Sequence, residues 1–197
     1  SFASDSKKFN NLINVPLDMM KDKPQECTKY YSDQVCDAIS KLSQRLDWNV
    51  IDKVLQAIHD SDSVAFFGTQ FSHSAALHFQ TDLLMLEKFT MAYMETERQI
   101  DCARLMDENS VAIIVTVNGF YARSNSKVLQ YLKKSKCKVV LMTNNPGIDI
   151  GINVNYTIVL GDSEQRKIGK HTLLTAVELM SLRYYSLYYP GIQEKII

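Results

Sequence analysis

The 197-residue chain is 46% hydrophobic and 22% charged, enough apolar material for one well-packed domain and too little for two. Lys plus Arg and Asp plus Glu both total 22, so no global basic field argues that this segment grips nucleic acid by itself. The four cysteines (Cys27, Cys36, Cys102, Cys137) form no CxxC pair and have no histidine at zinc spacing, and no apolar run approaches membrane-spanning length. Together these features predict a cytoplasmic protein with reduced thiols and no leader, metal or cofactor. The start at Ser1 instead of Met suggests a processed product or an excised piece.

Residues 1–34 are polar, with Pro16 and Pro24 set against any long helix, and read as an N-terminal arm or linker. Residues 35–197 read as one domain with preceding helices. Val35, Ile39, Leu42 and Leu46 recur at helical spacing, and Val50, Ile51, Val54, Leu55 and Ile58 mark a second amphipathic helix with Asp47 as its N-cap. The period then changes. A strand over 63–67 is followed by a helix bearing Ala75, Ala76, Phe79, Leu83 and Leu84, then a short strand near 89–94. A helix around Ile100, Ala103 and Met106 precedes the strand 111–115, and one with Val128, Leu129 and Leu132 precedes a strand over 139–142. A fifth strand covers 156–160, and a last helix runs from about Lys167 to Tyr189, where Pro190-Gly191 stops it. Alternating helices and near-continuous apolar strands predict an α/β three-layer sandwich around a five-stranded parallel, flavodoxin-like sheet with an N-terminal helical extension.

Two strands run straight into short polar loops, Gly68-Thr69-Gln70-Phe71-Ser72 and Thr116-Val117-Asn118-Gly119. At the carboxyl ends of parallel strands, such loops gather free N–H groups, hydroxyls and the positive end of a helix, a setting suited to a small phosphorylated ligand. Each residue also has a plain structural reading. Gly68 and Gly119 can serve tight turns, Ser72 and Thr116 can act as caps, and 143–147 reads as a turn. Tyr184, Tyr185, Tyr188 and Tyr189 read as packing within the fold or between subunits, and His73 and His78 are poorly spaced for a metal.

The stretch VAFFGTQFSHSAA resembles the first strand and phosphate loop of the SIS (sugar isomerase) fold, whose usual form is an apolar strand, GxGxS and a helix with an early Ala. TVNGFYAR stands where that family has SxSGxTxE, and VVLMTNNP is similar to its third strand. The approach NVIDKVLQAIHDSDSVAFFG resembles RpiR-type transcriptional regulators, in which a helix-turn-helix domain precedes a SIS domain; the resemblance spans roughly residues 45–190.

It implies a phosphosugar-sensing effector domain of a transcriptional regulator, forming a homodimer or higher oligomer, with DNA bound only through a helix-turn-helix outside this chain. The implied ligand residues are Gly68, Gln70, Ser72, Thr116, Asn118, Gly119 and Tyr121. Gln70, Asn118, Tyr121 and Arg123 replace the family's Gly, Ser, Thr and Glu, so Gln70 and Tyr121 are expected to trim the sugar space. Two alternatives stay open: a sugar-phosphate aldose-ketose isomerase, with Glu164 and His171 as acid-base candidates, and a dimerisation scaffold with a degenerate site. With the second-loop Glu replaced by Arg123, no catalytic residue is assigned.

Overall fold

A computed structural model describes residues 15–116, 119–161 and 169–189. Its strands are β1 (Ser63–Phe67), β2 (Thr90–Ala92), β3 (Ser110–Val115), β4 (Lys138–Thr143) and β5 (Tyr156–Val159), all parallel, in the order β2-β1-β3-β4-β5. The helices are α1 (Leu17–Asp22), α2 (Pro24–Arg45), α3 (Trp48–Asp60), α4 (Phe71–Met85), α5 (Thr96–Leu105), α6 (Phe120–Ser124), α7 (Ser126–Ser135) and α8 (Gly169–Tyr188). This is the predicted α/β sandwich. The chain reverses direction across the sheet between β1 and β3, so the loops after those two strands flank the point where open parallel sheets receive ligands.

The period-two alternation of the strands sorts the core into two halves. Val64 and Phe66 of β1, Val111, Ile113 and Val115 of β3, and Val140 and Met142 of β4 pack with apolar residues of α2, α3, α4 and α8. Ala65 and Phe67, Ala112 and Ile114, and Val139 and Leu141 pack on the other side with α5, α6 and α7. Both faces being covered, every residue of β3 is buried.

The expected arm needs correction where it is described. Pro24 separates α1 from α2, as expected, and it also begins α2, because the first turn needs no N–H from that position and the ring already sets the helical φ. Residues 24–34, expected to be irregular, are therefore helical, and Cys27, Ala38 and Leu42 are buried along one side of α2. Asp47 caps α3 as expected, its Oδ1 accepting from the N–H groups of Asn49 at 2.9 Å and Val50 at 3.3 Å. The aromatic run near the end of α8 packs within the fold. Tyr184 is buried, and the Tyr188 ring stacks on His59 with centroids 3.8 Å apart. The expected start of the last helix at Lys167 lies outside the described residues.

Candidate functional site

The loop after β1 is a tight strand-to-helix turn. The Ser72 N–H donates to the Thr69 carbonyl at 3.1 Å, closing a four-residue turn with Gln70 at its second position. Gln70 has φ 53° and ψ −122°, the geometry of the first central residue of a type II′ turn, where glycine is the usual occupant. The backbone thus keeps a shape suited to the family's glycine while carrying a side chain, a conformation that costs a non-glycine residue about 1–3 kcal/mol. Gly68 is required for a different reason: a Cβ there would stand 2.9 Å from Ser72 Cβ. The N-cap residue Gln70 makes no side-chain capping bond to α4, a 15-residue helix whose positive end faces this loop. Gln70 is exposed and Ser72 half-buried. Lys170, at the start of α8, holds its ammonium 5.1 Å from the centre of the Phe71 ring, which brings a cation to the same loop.

The second loop is organised differently. Thr116 is buried, and its N–H donates to the Met142 carbonyl at 3.0 Å, so its backbone belongs to the end of the β3–β4 ladder. Val117 and Asn118 lie outside the described residues. Gly119 has φ 75°, in the left-handed region, and a Cβ on it would stand 1.9 Å from Ile148 Cδ1. The room made by the missing side chain is therefore filled by Ile148, from the turn after β4. Arg123 is exposed.

Tyr121 does not trim the space beside the loops as the sequence suggested. It is 2% exposed, packs in the half of the core shared with α5 and α7, and donates its hydroxyl to Gln99 Oε1. Gln99 Nε2 in turn donates to the carbonyls of Gly68 at 3.0 Å and Tyr93 at 2.8 Å. Burial, reinforced by the neighbouring Cys102 thiol, holds the Tyr121 phenol far above its ordinary pKa, so it remains a donor throughout the physiological range. The chain Tyr121–Gln99–Gly68 ties the second loop to the first through the core. Gln99 escaped the sequence reading because a glutamine inside an amphipathic helix carries no signal of its own until its neighbours are known.

The third contribution comes from the end of β4. Thr143 and Asn144 are both buried, and Thr143 Oγ1 accepts from the Asn145 N–H at 3.1 Å, opening the turn expected at 143–147. His171 Nε2 lies 2.5 Å from the Tyr31 hydroxyl, so the acid-base candidate of α8 is engaged by α2. Glu164 lies outside the described residues. Among the described residues no group of His, Cys, Asp or Glu is arranged to hold a metal ion, and no helix is long and apolar enough to cross a membrane.

No protein-family model matches the chain, and neither does any curated protein sequence. Solved structures do. The Vibrio vulnificus NanR protein, complexed with ManNAc-6P, superposes with a TM-score of 0.74 at 14% identity, over 89% of this chain and 69% of that one. The sugar isomerase domain of an RpiR transcription factor from Sphaerobacter thermophilus gives 0.61 at 13% identity, over 85% and 97%. Phosphoheptose isomerase from Neisseria gonorrhoeae gives 0.67 at 14%, over 83% and 100%. The chain has the α/β fold of SIS domains, found in a transcription factor and in a phosphoheptose isomerase alike.

Proposed function

We propose that this chain is the phosphosugar-sensing effector domain of an RpiR-type regulator, with its DNA-binding domain outside the chain. The observation that carries this reading is the start of α4 at the β1 loop, where Gln70 supplies no side-chain cap, with Ser72 in its first turn and the Lys170 ammonium over the Phe71 ring. Phosphate is the ligand chemistry such a helix end favours. Ser72, Thr116 and Asn118 with the Gly119 N–H are the proposed donors to it, and Gly68 and Gln70 shape the first turn. The similarity to a NanR protein complexed with ManNAc-6P supports the same choice. Against isomerisation stands the engagement of His171 by Tyr31, which commits the candidate acid to an interhelical bond.

A homodimer is part of this proposal. Leu77 and Leu84 share one side of α4, and Leu174 and Leu182 one side of α8, and all four are exposed apolar side chains on two helices that pack together. Light scattering at tens of micromolar should return twice the chain mass.

Calorimetry with ManNAc-6P, glucose 6-phosphate, ribose 5-phosphate, inorganic phosphate and unphosphorylated ManNAc tests the reading. Saturable heat from a sugar phosphate and none from ManNAc is expected, with Ser72→Ala weakening binding about 10- to 100-fold. Silence across the panel overturns it. Conversion of the bound sugar phosphate to its ketose or aldose partner, followed by NMR, would replace it with the isomerase.

A further inference from the structure

Asn144 is 1% exposed, and neither its Nδ2 nor its Oδ1 has a hydrogen-bond partner. A primary amide can make four hydrogen bonds, and leaving it buried with none is among the more expensive arrangements a core can hold. Its backbone position is well fixed. The Thr116 N–H donates to the Met142 carbonyl at 3.0 Å, and the Leu160 N–H to the Thr143 carbonyl at 2.9 Å, so the end of β4 is gripped between the ends of β3 and β5. Met142 and Val140 face the half of the core built with α4 and α8. Asn144 directly follows β4 at the carboxyl edge of the sheet, the edge at which the loop after β1 leads into α4.

We infer that Asn144 is a ligand-reading residue: its amide takes a vicinal hydroxyl pair, or a hydroxyl and an acetamido group, of the sugar whose phosphate rests at the start of α4. A donor and an acceptor side by side on one rigid group match a diol, whose hydroxyls can each donate or accept a hydrogen bond, and match less well the mainly dianionic phosphate of a sugar ester, whose oxygens accept. The turn that follows, Asn145-Pro146-Gly147, is exposed and held by local bonds, Asn145 Oδ1 accepting from the Gly147 N–H at 3.2 Å and Asn145 O from the Ile148 N–H at 3.1 Å. It can therefore move aside without breaking a sheet ladder. The inference rests on the proposed phosphosugar site and adds the part of the site that tells one sugar from another.

The test combines stability and affinity in Asn144→Leu, which keeps the volume and removes the polar atoms, with Asn144→Ala as a second variant. The affinity probes are inorganic phosphate and whichever of ManNAc-6P, glucose 6-phosphate and ribose 5-phosphate gives the largest heat with the unmodified protein. Without ligand, Asn144→Leu should raise Tm by about 2–4 °C, the mark of a residue held against stability for a function. Sugar phosphate affinity should fall about 10- to 100-fold in both variants, with phosphate affinity unchanged. A lowered or unmoved Tm in Asn144→Leu identifies a structural amide and overturns the inference, as does unchanged sugar phosphate affinity. If the unmodified protein binds no sugar phosphate, the proposed function falls and this inference with it. If it binds and the variants bind equally well, only the inference falls.

Discussion

Tyr121 and Gln99, 22 positions apart, form a buried hydrogen bond in which the phenol donates to the amide oxygen. The same amide's nitrogen donates to the Gly68 carbonyl, so the bond is one half of a strut between the two loops. Tyr121→Phe should cost about 1–3 kcal/mol in urea unfolding, because Gln99 Oε1 is left buried without a donor. Tyr121→Thr, although it restores the residue usual in SIS second loops, should cost more, about 3–5 kcal/mol, since it also empties an aromatic-sized volume. A gain in stability from Tyr121→Thr would show that the strut is dispensable.

Gly119 and Ile148 should behave as a coupled pair. Gly119→Ala meets both the left-handed φ, a penalty of about 1–2 kcal/mol for an L residue, and the Ile148 side chain. Ile148→Ala makes room without relieving the φ. A double-mutant cycle by chemical denaturation should return a coupling energy of about 0.5–3 kcal/mol. Strict additivity would mean that the two do not touch in solution.

Gln70→Gly should raise Tm slightly. Relief of the strained φ 53° conformation is partly offset by the greater freedom glycine gives the unfolded chain, for a net gain of up to about 1 kcal/mol. Gln70→Ala keeps the Cβ and should bring no such gain. A drop in Tm for the glycine variant would place the side chain's own contacts above the backbone strain.

Acidification should weaken the contact between α2 and α8. Burial, with Lys170 adding to it, lowers the His171 pKa below its ordinary 6.5. The unfolded chain then takes up a proton on this histidine before the folded one does. The stability held by neutral His171 is thus complete above pH 6.5 and is lost as pH falls through the lower, folded-state pKa. Thermal unfolding of the unmodified protein and His171→Gln should show a smaller pH dependence in the variant just below 6.5. Identical slopes would remove His171 as the source.

The sheet was legible because its signal is local. VAFF and VAIIV are apolar on both faces, and each ends in a polar loop, which leaves little choice but a covered parallel strand. Two kinds of information were not legible. Pro24 marks the break between α1 and α2 but gives no sign that a long helix starts there, and the apolar side of α2 is sparse, marked by Cys27, Ala38 and Leu42 across a polar stretch. The direction of Tyr121 was also hidden: in α6 it turns toward Gln99, a partner supplied by α5. A site motif gives the position of a residue along a loop, whereas packing decides which way it points. Gln70 is the intermediate case, its glycine-like φ implied by the motif although the residue type argued against it.

The central ladder joins Ser63 to Ser110 and Phe67 to Ile114, partners that enter the sheet with β2 and two helices between them in the chain. During folding neither apolar strand can find its neighbour until a long loop has closed, so the search is slow and both segments stay uncovered while it lasts. Refolding from urea should therefore lose yield as protein concentration rises, through association of these strands between chains. The residues that make the β1–β3 pairing most secure once formed are the ones most exposed to aggregation before it forms; a yield independent of concentration would show that α2 and α3 shield them early.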